Sequence, residues 1–574
     1  MKGAVLRNHT VTLLFAFCSF VAPGCSSKAR PDPTSTTAQA LAQAAPLADG
    51  LDCLSPQSGW PMFGQNVCNT RAAASGGPIN PHTVSKLATQ WAFDAAGDIS
   101  ATPAVVDGQV YVPDFGGMIY RIDAHTGSAV WSKSIANLVG LTDDAGPPIL
   151  NLTPDGGVQD IPAAIISRDT PTITADSVIF GVAPGMVAGV QPAAFVVALD
   201  RETGAVKWKT MVESHPAAQV TSSPVVDDGR VYVGVASGEE FFSVLPGYPC
   251  CTFRGSVVAL DVHTGQIVWK TSTIEDSAYL SDGGLSGFAG AAVWATPVVD
   301  RKRGSLYVTT GNNYSAPEGV TTLPAGDHIE SIMALDLRTG AIKWAQQMTA
   351  GDTWNLLDLV IGLPSAGPDW DFGSGANLFQ ARIGGVKQDV IGAGQKSGWY
   401  WALNPDTGSI LWKTQVGPGG HLGGIHWGTA VDSEHVYAGV NNETGAPYVL
   451  GGNGPQAGTT VNTGSWAALD TSTGQIEWQI ADPAMTAPLY GASVNGPVTV
   501  VNGVVFGGSM DAAGTMFALD GATGAVLWSF QSGGSVYGGP AVADGVVYWG
   551  NGYSSARLQF GTPGKKLFAF RVNP

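Results

Sequence analysis

The sequence predicts an all-β chain folded as an eight-bladed β-propeller, closed by pairing of its N- and C-terminal strands. Three observations carry that expectation. A segment of the form Ala-Leu-Asp-x-x-Thr-Gly-x-x-x-Trp recurs, an Asp-Gly hairpin signal precedes most copies, and one copy is split between the chain ends.

Seven copies are legible, and each leads to a tryptophan. They start at Arg121-Ile122-Asp123 (to Trp131), Ala198-Leu199-Asp200 (Trp208), Ala259-Leu260-Asp261 (Trp269), Ala334-Leu335-Asp336 (Trp344), Ala402-Leu403-Asn404 (Trp412), Ala468-Leu469-Asp470 (Trp478) and Ala518-Leu519-Asp520 (Trp528). In each, a short apolar strand ends at Asp or Asn, whose side chain can bond the turn backbone. Glycine four residues on permits positive φ. A second strand then reaches a tryptophan placed to pack between neighbouring blades. Upstream hairpins such as residues 102–112 and 223–233 carry Asp107-Gly108 and Asp228-Gly229, a strong two-residue turn signal. Two hairpins make one four-stranded blade.

The eighth copy joins Leu567-Phe568-Ala569-Phe570 to residues 87–93, which contain Trp91. Closure of this kind removes free sheet edges. A seven-bladed ring with a stray terminus is the alternative. Spacings between the repeat tryptophans run from 40 to 77 residues, so several blades carry insertions. Insertions in repeat proteins collect on one face, often the binding face.

A chain of 574 residues would ordinarily hold several domains, but repeats enlarge by adding units. Its 77 glycines and 36 prolines suit short strands and tight turns. Charged residues are scarce at 13%, and the net charge of −17 argues against nucleic acid, which needs a basic footprint.

Residues 1–25 read as an export signal: Lys2 and Arg7 precede an apolar run over 11–21, too short for a lasting membrane span. The run ends in Ala22-Pro23-Gly24-Cys25, which resembles a lipobox with Cys25 as the lipidated residue. Ala22 stands where Leu is usual, which leaves simple secretion open. The expected location is the periplasm, with membrane contact only through that anchor. Residues 26–50, rich in Ser, Thr, Ala and Pro, read as a disordered linker, and the propeller is expected over 51–574.

Export permits disulfides. Cys53 and Cys68 could staple a small N-terminal loop. Cys250 and Cys251 are adjacent. Disulfides usually want Cα atoms about 4.4–6.8 Å apart, against about 3.8 Å for trans-linked neighbours, so a bond between them would be a strained ring. Two unpaired thiols are the other reading. No Cys-x-x-Cys-His occurs, so the chain carries no c-type haem motif of its own.

Three oxygen-bearing side chains stand at comparable places in successive blades: Glu240, Asn312 and Asp371. Two carboxylates and an amide oxygen suit Ca²⁺ better than zinc. Taken singly, each reads more readily as a solvated loop residue or turn former than as a ligand.

Ser237-Gly238-Glu239-Glu240, Gly311-Asn312 and Trp370-Asp371-Phe372 resemble segments of the quinoprotein alcohol dehydrogenases, eight-bladed propellers that use pyrroloquinoline quinone (PQQ) with calcium. The resemblance covers nearly the whole mature chain. It implies Glu240, Asn312 and Asp371 as calcium ligands, with Asp371 also the general base. It further implies Trp294 stacking on the quinone, and Lys396 and Ser237 as contacts to it. His426 falls near a family cofactor contact of another residue type. By the same resemblance, a Cys250–Cys251 ring would cover the quinone face opposite the tryptophan. Within the family, Gly59-Trp60-Pro61-Met62-Phe63-Gly64, Asn69-Thr70-Arg71, Cys250-Cys251-Thr252-Phe253-Arg254-Gly255 and Gly423-Gly424-Ile425-His426-Trp427-Gly428 are most similar to the polyvinyl alcohol dehydrogenase branch.

Two departures stand out. The cysteine pair follows Glu240 within one insertion, whereas in the family's methanol dehydrogenases it belongs to an earlier blade. Asn355, in Asp352-Thr353-Trp354-Asn355, occupies the expected place of the acidic base and cannot serve as one. Asp371 is preferred because Trp370-Asp371-Phe372 restores the motif after an insertion; Asp352, Asp358 and Asp369 are fallbacks.

The resemblance thus implies PQQ- and calcium-dependent oxidation of an alcohol, small or polymeric, with electrons passed to an external acceptor such as cytochrome c. Two rival readings are a non-enzymatic propeller lipoprotein serving envelope assembly and a PQQ-binding sensor.

Overall fold

Every repeat copy folds as the outer half of an antiparallel sheet, and the described residues form seven four-stranded sheets and one five-stranded sheet, alongside two short ribbons. The computed structural model describes residues 51, 59–73, 76–141, 165–183, 194–245, 247–248, 250–275, 287–316, 326–361, 367–484, 494–553 and 561–573. The expected export signal with Cys25, the expected linker 26–50 and Cys53 lie outside these residues. Within the unit Ala48–Pro574, the eight sheets follow one another along the chain as eight blades. The last blade is composite: Leu87–Asp94 pairs antiparallel with Lys566–Val572, so the terminal strands close the ring. Cys68 is fully buried and disulfide-bonded.

The repeat signature has a local cause. In the fourth blade the Asp336 carboxylate accepts hydrogen bonds from the Arg338 and Thr339 amides and from Thr339 Oγ1 at 2.9–3.1 Å. Gly340 follows at φ 74°. Positive φ explains only half of that glycine. A Cβ there would stand 2.5 Å from Cε3 of Trp269, the tryptophan of the preceding blade, whose Nε1 donates to the Leu337 carbonyl at 3.2 Å. The same docking, tryptophan N–H to a carbonyl of the next blade, recurs for Trp91, Trp131, Trp208, Trp344, Trp412 and Trp478. Trp528 closes the circle on the Leu87 carbonyl at 3.1 Å.

Gly108 provides the control, since it lies at φ 70° with nothing within 4 Å of an added Cβ. Gly108→Ala should cost about 1–2 kcal/mol, the left-handed penalty alone. Gly340→Ala should cost about 1–3 kcal/mol more, the overpacking against Trp269. Thermal unfolding of the two variants reads the difference, and equal melting temperatures would mean that the indole does not require glycine.

Antiparallel order sorts the connections. Turns from first to second and from third to fourth strand are short and face one side. Second-to-third and blade-to-blade connections therefore share the other side, and the long segments 238–255, 310–330, 348–376 and 416–429 all belong to it. The other end of the axis is occupied by residues 59–73. This segment bonds successively to the innermost strands, through Trp60–Val105, Pro61–Ile173, Val67–Val299, Cys68–Leu378, Thr70–Val431 and Arg71–Val500. The Gly59-to-Arg71 likeness noted in the sequence is thus an axial plug running past six blades.

Candidate active site

Ser237, Glu240, Trp294, Asn312, Asp371, Lys396 and His426 all stand on the long-connection face, in the third to sixth blades. Contacts tie them into one cluster. Lys396 Nζ donates to Asp371 Oδ2 at 3.0 Å and Asp369 Oδ1 at 2.9 Å, and lies 5.5 Å from the Trp294 ring centroid. Asp371 Oδ1 accepts from the Asn312 amide at 2.7 Å. Trp294 is braced edge-on by His426 and Trp427, with centroids 5.4 and 4.8 Å away, and Gly373 leaves the room its ring needs, since a Cβ would collide with Trp294 Cη2.

The insertion before Asp371 is closed at its neck. Both oxygens of Asp352 accept backbone N–H groups, from Asp369 at 3.2 Å and Trp370 at 2.8 Å, while Gly367 N–H meets the Thr353 carbonyl at 2.7 Å. The intervening residues leave and return at one point, which is why Trp370-Asp371-Phe372 resumes in place. The four aspartates are now distinguishable. Asp352 is committed to the neck, and Asp358 bonds Asn355 at the start of the helix Leu356–Ile361. Asp369 lies between Lys396 and His421. Only Asp371 touches both Asn312 and Lys396.

A cation would find prepared donors. The Asn312 amide nitrogen gives both its hydrogens to carbonyls, of Asn313 at 2.8 Å and Trp354 at 3.0 Å. That fixes the side chain and leaves Asn312 Oδ1 buried with no hydrogen-bond partner. Buried acceptors of this kind demand a ligand or a water. Burial, with the charge of Asp371, pushes the Glu240 carboxyl up to about 8 against the opposing charge of Lys396. Burial also works against the Lys396 ammonium, but Asp369, Asp371 and Glu240 hold it above its usual range. His426 is driven well below an ordinary histidine by burial and by Lys396. Among the described residues no three His, Cys, Asp or Glu side chains converge as a metal cluster, so a cation here depends on the amide oxygen as well as the carboxylates. Two carboxylates and an orphaned amide oxygen fit a hard cation, and a braced indole face beside an ammonium fits a flat, electron-poor ring.

Cys250 and Cys251 form a disulfide pair across a cis peptide bond, with Cα atoms 3.0 Å apart rather than the trans spacing assumed from the sequence. Cys250 and Trp294 pack against one apolar cluster containing Cys251, Phe253 and Tyr314, which places the pair beside the site. Glu239 explains how. Its carboxylate, fully buried, accepts from Tyr248 Oη (2.9 Å), Thr252 N (3.0 Å) and Phe253 N (2.7 Å), with His215 Nε2 at 3.4 Å. The cysteine loop is therefore tied to the residue next to Glu240. Ser237 supports the same turn, its Oγ accepting the Glu239 amide at 2.9 Å.

Sequence reading missed Glu239 and Gly373, and it took Asp352 as a fallback base where the fold uses it to close the neck. Adjacent glutamates look alike in a one-dimensional pattern, and only the folded chain brings Tyr248, Thr252 and Phe253 to the Glu239 carboxylate. Glu239→Gln should cost about 1–3 kcal/mol, because two buried N–H groups lose a charged acceptor. Amide hydrogen exchange should rise at Thr252 and Phe253 and stay unchanged in other blades. Unaltered exchange there would show that the carboxylate does not hold the loop.

Eight tryptophan-docked blades thus carry oxygen donors and a braced indole at one end of the axis. The family model described as glucose/ethanol/alcohol dehydrogenase, beta-propeller domain, of the PQQ type, matches residues 209–419, which contain every one of the proposed metal ligands. A second model, outer membrane protein assembly factor BamB, matches residues 462–559, which contain none. The chain is 31% identical to the polyvinyl alcohol dehydrogenase of Sphingopyxis sp. (strain 113P3), over 92% of this chain and 78% of that one. It is 30% identical to that of a Pseudomonas sp., over 91% and 78%. The crystal structure of the quinohemoprotein alcohol dehydrogenase from Comamonas testosteroni superposes with a TM-score of 0.67 at 21% identity, covering 90% of this chain and 81% of that one. The chain belongs to the PQQ-dependent alcohol dehydrogenase family that includes the polyvinyl alcohol dehydrogenases.

Proposed function

We propose that the protein oxidises an alcohol with PQQ and one calcium ion bound at the long-connection face, and that its substrate is a secondary, polymeric alcohol of the polyvinyl alcohol type. The observation that carries the reading is the buried, partnerless Asn312 Oδ1, held beside Asp371 on the same face as Glu240. Glu240, Asn312 and Asp371 would hold the cation, and Trp294, Lys396, Ser237 and the Cys250–Cys251 pair would hold the quinone. PQQ, when bound, supplies the two-electron acceptor and the cation its Lewis acidity.

Asp371 takes the hydroxyl proton of the substrate at Oδ2, the oxygen that the Lys396 ammonium positions at 3.0 Å. His426, neutral at pH 7, braces Trp294 without adding charge. The chain has no Cys-x-x-Cys-His, so electrons leave to a separate carrier such as a cytochrome c. Similarity to two polyvinyl alcohol dehydrogenases supports the polymeric substrate. The signal-like residues 1–25 support an exported enzyme, periplasmic, anchored to the outer membrane through Cys25, or secreted.

Reconstitution tests this directly. Protein freed of quinone and calcium should be inactive with a dye acceptor and regain activity only when both are added, with polyvinyl alcohol and short secondary alcohols as substrates. Bound quinone that no alcohol reduces would make the protein a sensor, and failure to bind quinone would overturn the reading altogether.

A further inference from the structure

Below Trp294, toward the plug, the propeller axis holds a chamber of about 40 Å³. Its lining includes Thr102, Thr170, Thr221, Ser223 and Thr296, drawn from the first four blades, together with Arg168. Trp294, Trp427 and Tyr537 line it on one side and Phe63 of the plug on another. No Asp or Glu is among its lining residues.

The charge balance is unusual. Arg168 donates to Tyr553 Oη at 3.1 Å and lies 4.9 Å from the centroid of Trp427, and among the described residues it has no carboxylate partner. A second guanidinium lies behind the lining residues Phe63 and Thr102. Arg71 is fully buried and spends its N–H groups on neutral acceptors: the carbonyls of Val498 and Phe63 at 2.8 Å, and the hydroxyls of Thr499 at 3.0 Å and Thr102 at 3.3 Å. Thr102 therefore accepts from Arg71 and keeps its own proton to give. Ser223 likewise accepts the Thr170 amide at 2.9 Å. Thr170 Oγ1 is buried with no hydrogen-bond partner.

A hydroxyl-lined space would suit water alone, but a half-buried Arg168 and a fully buried Arg71, with no carboxylate partner among the described residues, make a neutral occupant costly. Convergent O–H donors, an unpaired guanidinium and the absence of acceptor carboxylates are the chemistry of anion recognition. We infer that the axial chamber is a binding site for one small monovalent anion, a halide or a short carboxylate, held by Arg168 and the Thr170 hydroxyl. The site is separate from the quinone reading, and its test needs neither quinone nor calcium.

Bromide is the probe. Crystals of the full chain grown in sodium bromide should show an anomalous peak within hydrogen-bond reach of Arg168 and Thr170 Oγ1. In solution, melting should be about 1–3 °C higher in bromide or chloride than in gluconate, too bulky for the chamber, at equal ionic strength. Arg168→Met should abolish the anion-dependent rise yet melt no lower than wild type in gluconate, because an unpaired cation has been removed. Thr170→Val should weaken the rise. No bromide peak in the chamber, or an equal anion response in wild type and Arg168→Met, would overturn the inference.

Discussion

Asp371→Asn should lower kcat by about 10²–10⁴-fold, the range expected when a positioned general base is lost. The substitution preserves shape but removes the proton acceptor. It also places an amide where Oδ1 now accepts from Asn312 N at 2.7 Å and Oδ2 from Lys396 Nζ at 3.0 Å. One of those two donors must then face an N–H₂ group, so the lysine partly loses its position over Trp294. Because Asp371 is also a proposed metal ligand, the assay is run across a calcium titration. A rate that recovers at high calcium would make Asp371 a ligand only. Asp369→Asn and Asp352→Asn provide the contrast, since the first keeps the Asp371–Lys396 pair and the second opens only the neck of the insertion. A larger loss of kcat in Asp369→Asn than in Asp371→Asn would transfer the role of base to Asp369.

That ranking of aspartates could be proposed from the sequence but not justified by it. Trp370-Asp371-Phe372 was recognisable because aromatic-Asp-aromatic order survives an insertion. What holds the insertion closed, the Asp352 carboxylate on two backbone amides, is a long-range contact with no pattern of its own. The propeller was far more legible. Its turns are local, each fixed by one Asp or Asn and one Gly, and they recur often enough to count. Even there the glycine had a second cause, the indole of the preceding blade, that a single repeat cannot reveal. The plug was visible only as a likeness between short segments. Its role depends on six blades meeting one strand of chain, and sequence order keeps those partners up to hundreds of residues apart.

Calcium binding should grow stronger with pH up to about 8 and then level off, because Glu240 must surrender a proton to become a ligand. Its carboxyl is held up to about 8 by burial and by the charge of Asp371, against about 4.3 for an unperturbed glutamate. In the metal-free fold the proton stays on across neutral pH, whereas the unfolded chain has lost it. The group therefore opposes stability increasingly as pH rises from about 4.3 toward 8. A cation takes the ionised form and reverses that trend, so binding releases about one proton and apparent affinity rises up to about tenfold per pH unit within the window. Calorimetric titration of calcium in two buffers of different protonation enthalpy measures the proton count. Burial also raises Asp352, to about 6, so Glu240→Gln isolates the contribution. In that variant the proton release near neutral pH should vanish and calcium affinity should fall, while the tryptophan-docked blades keep their melting temperature in metal-free buffer or gain slightly at pH 8. Affinity that stays flat between pH 5.5 and 8 would mean that Glu240 is already ionised in the metal-free protein, and that the ligand set must be drawn from Asp371 and Asn312 with a different third oxygen.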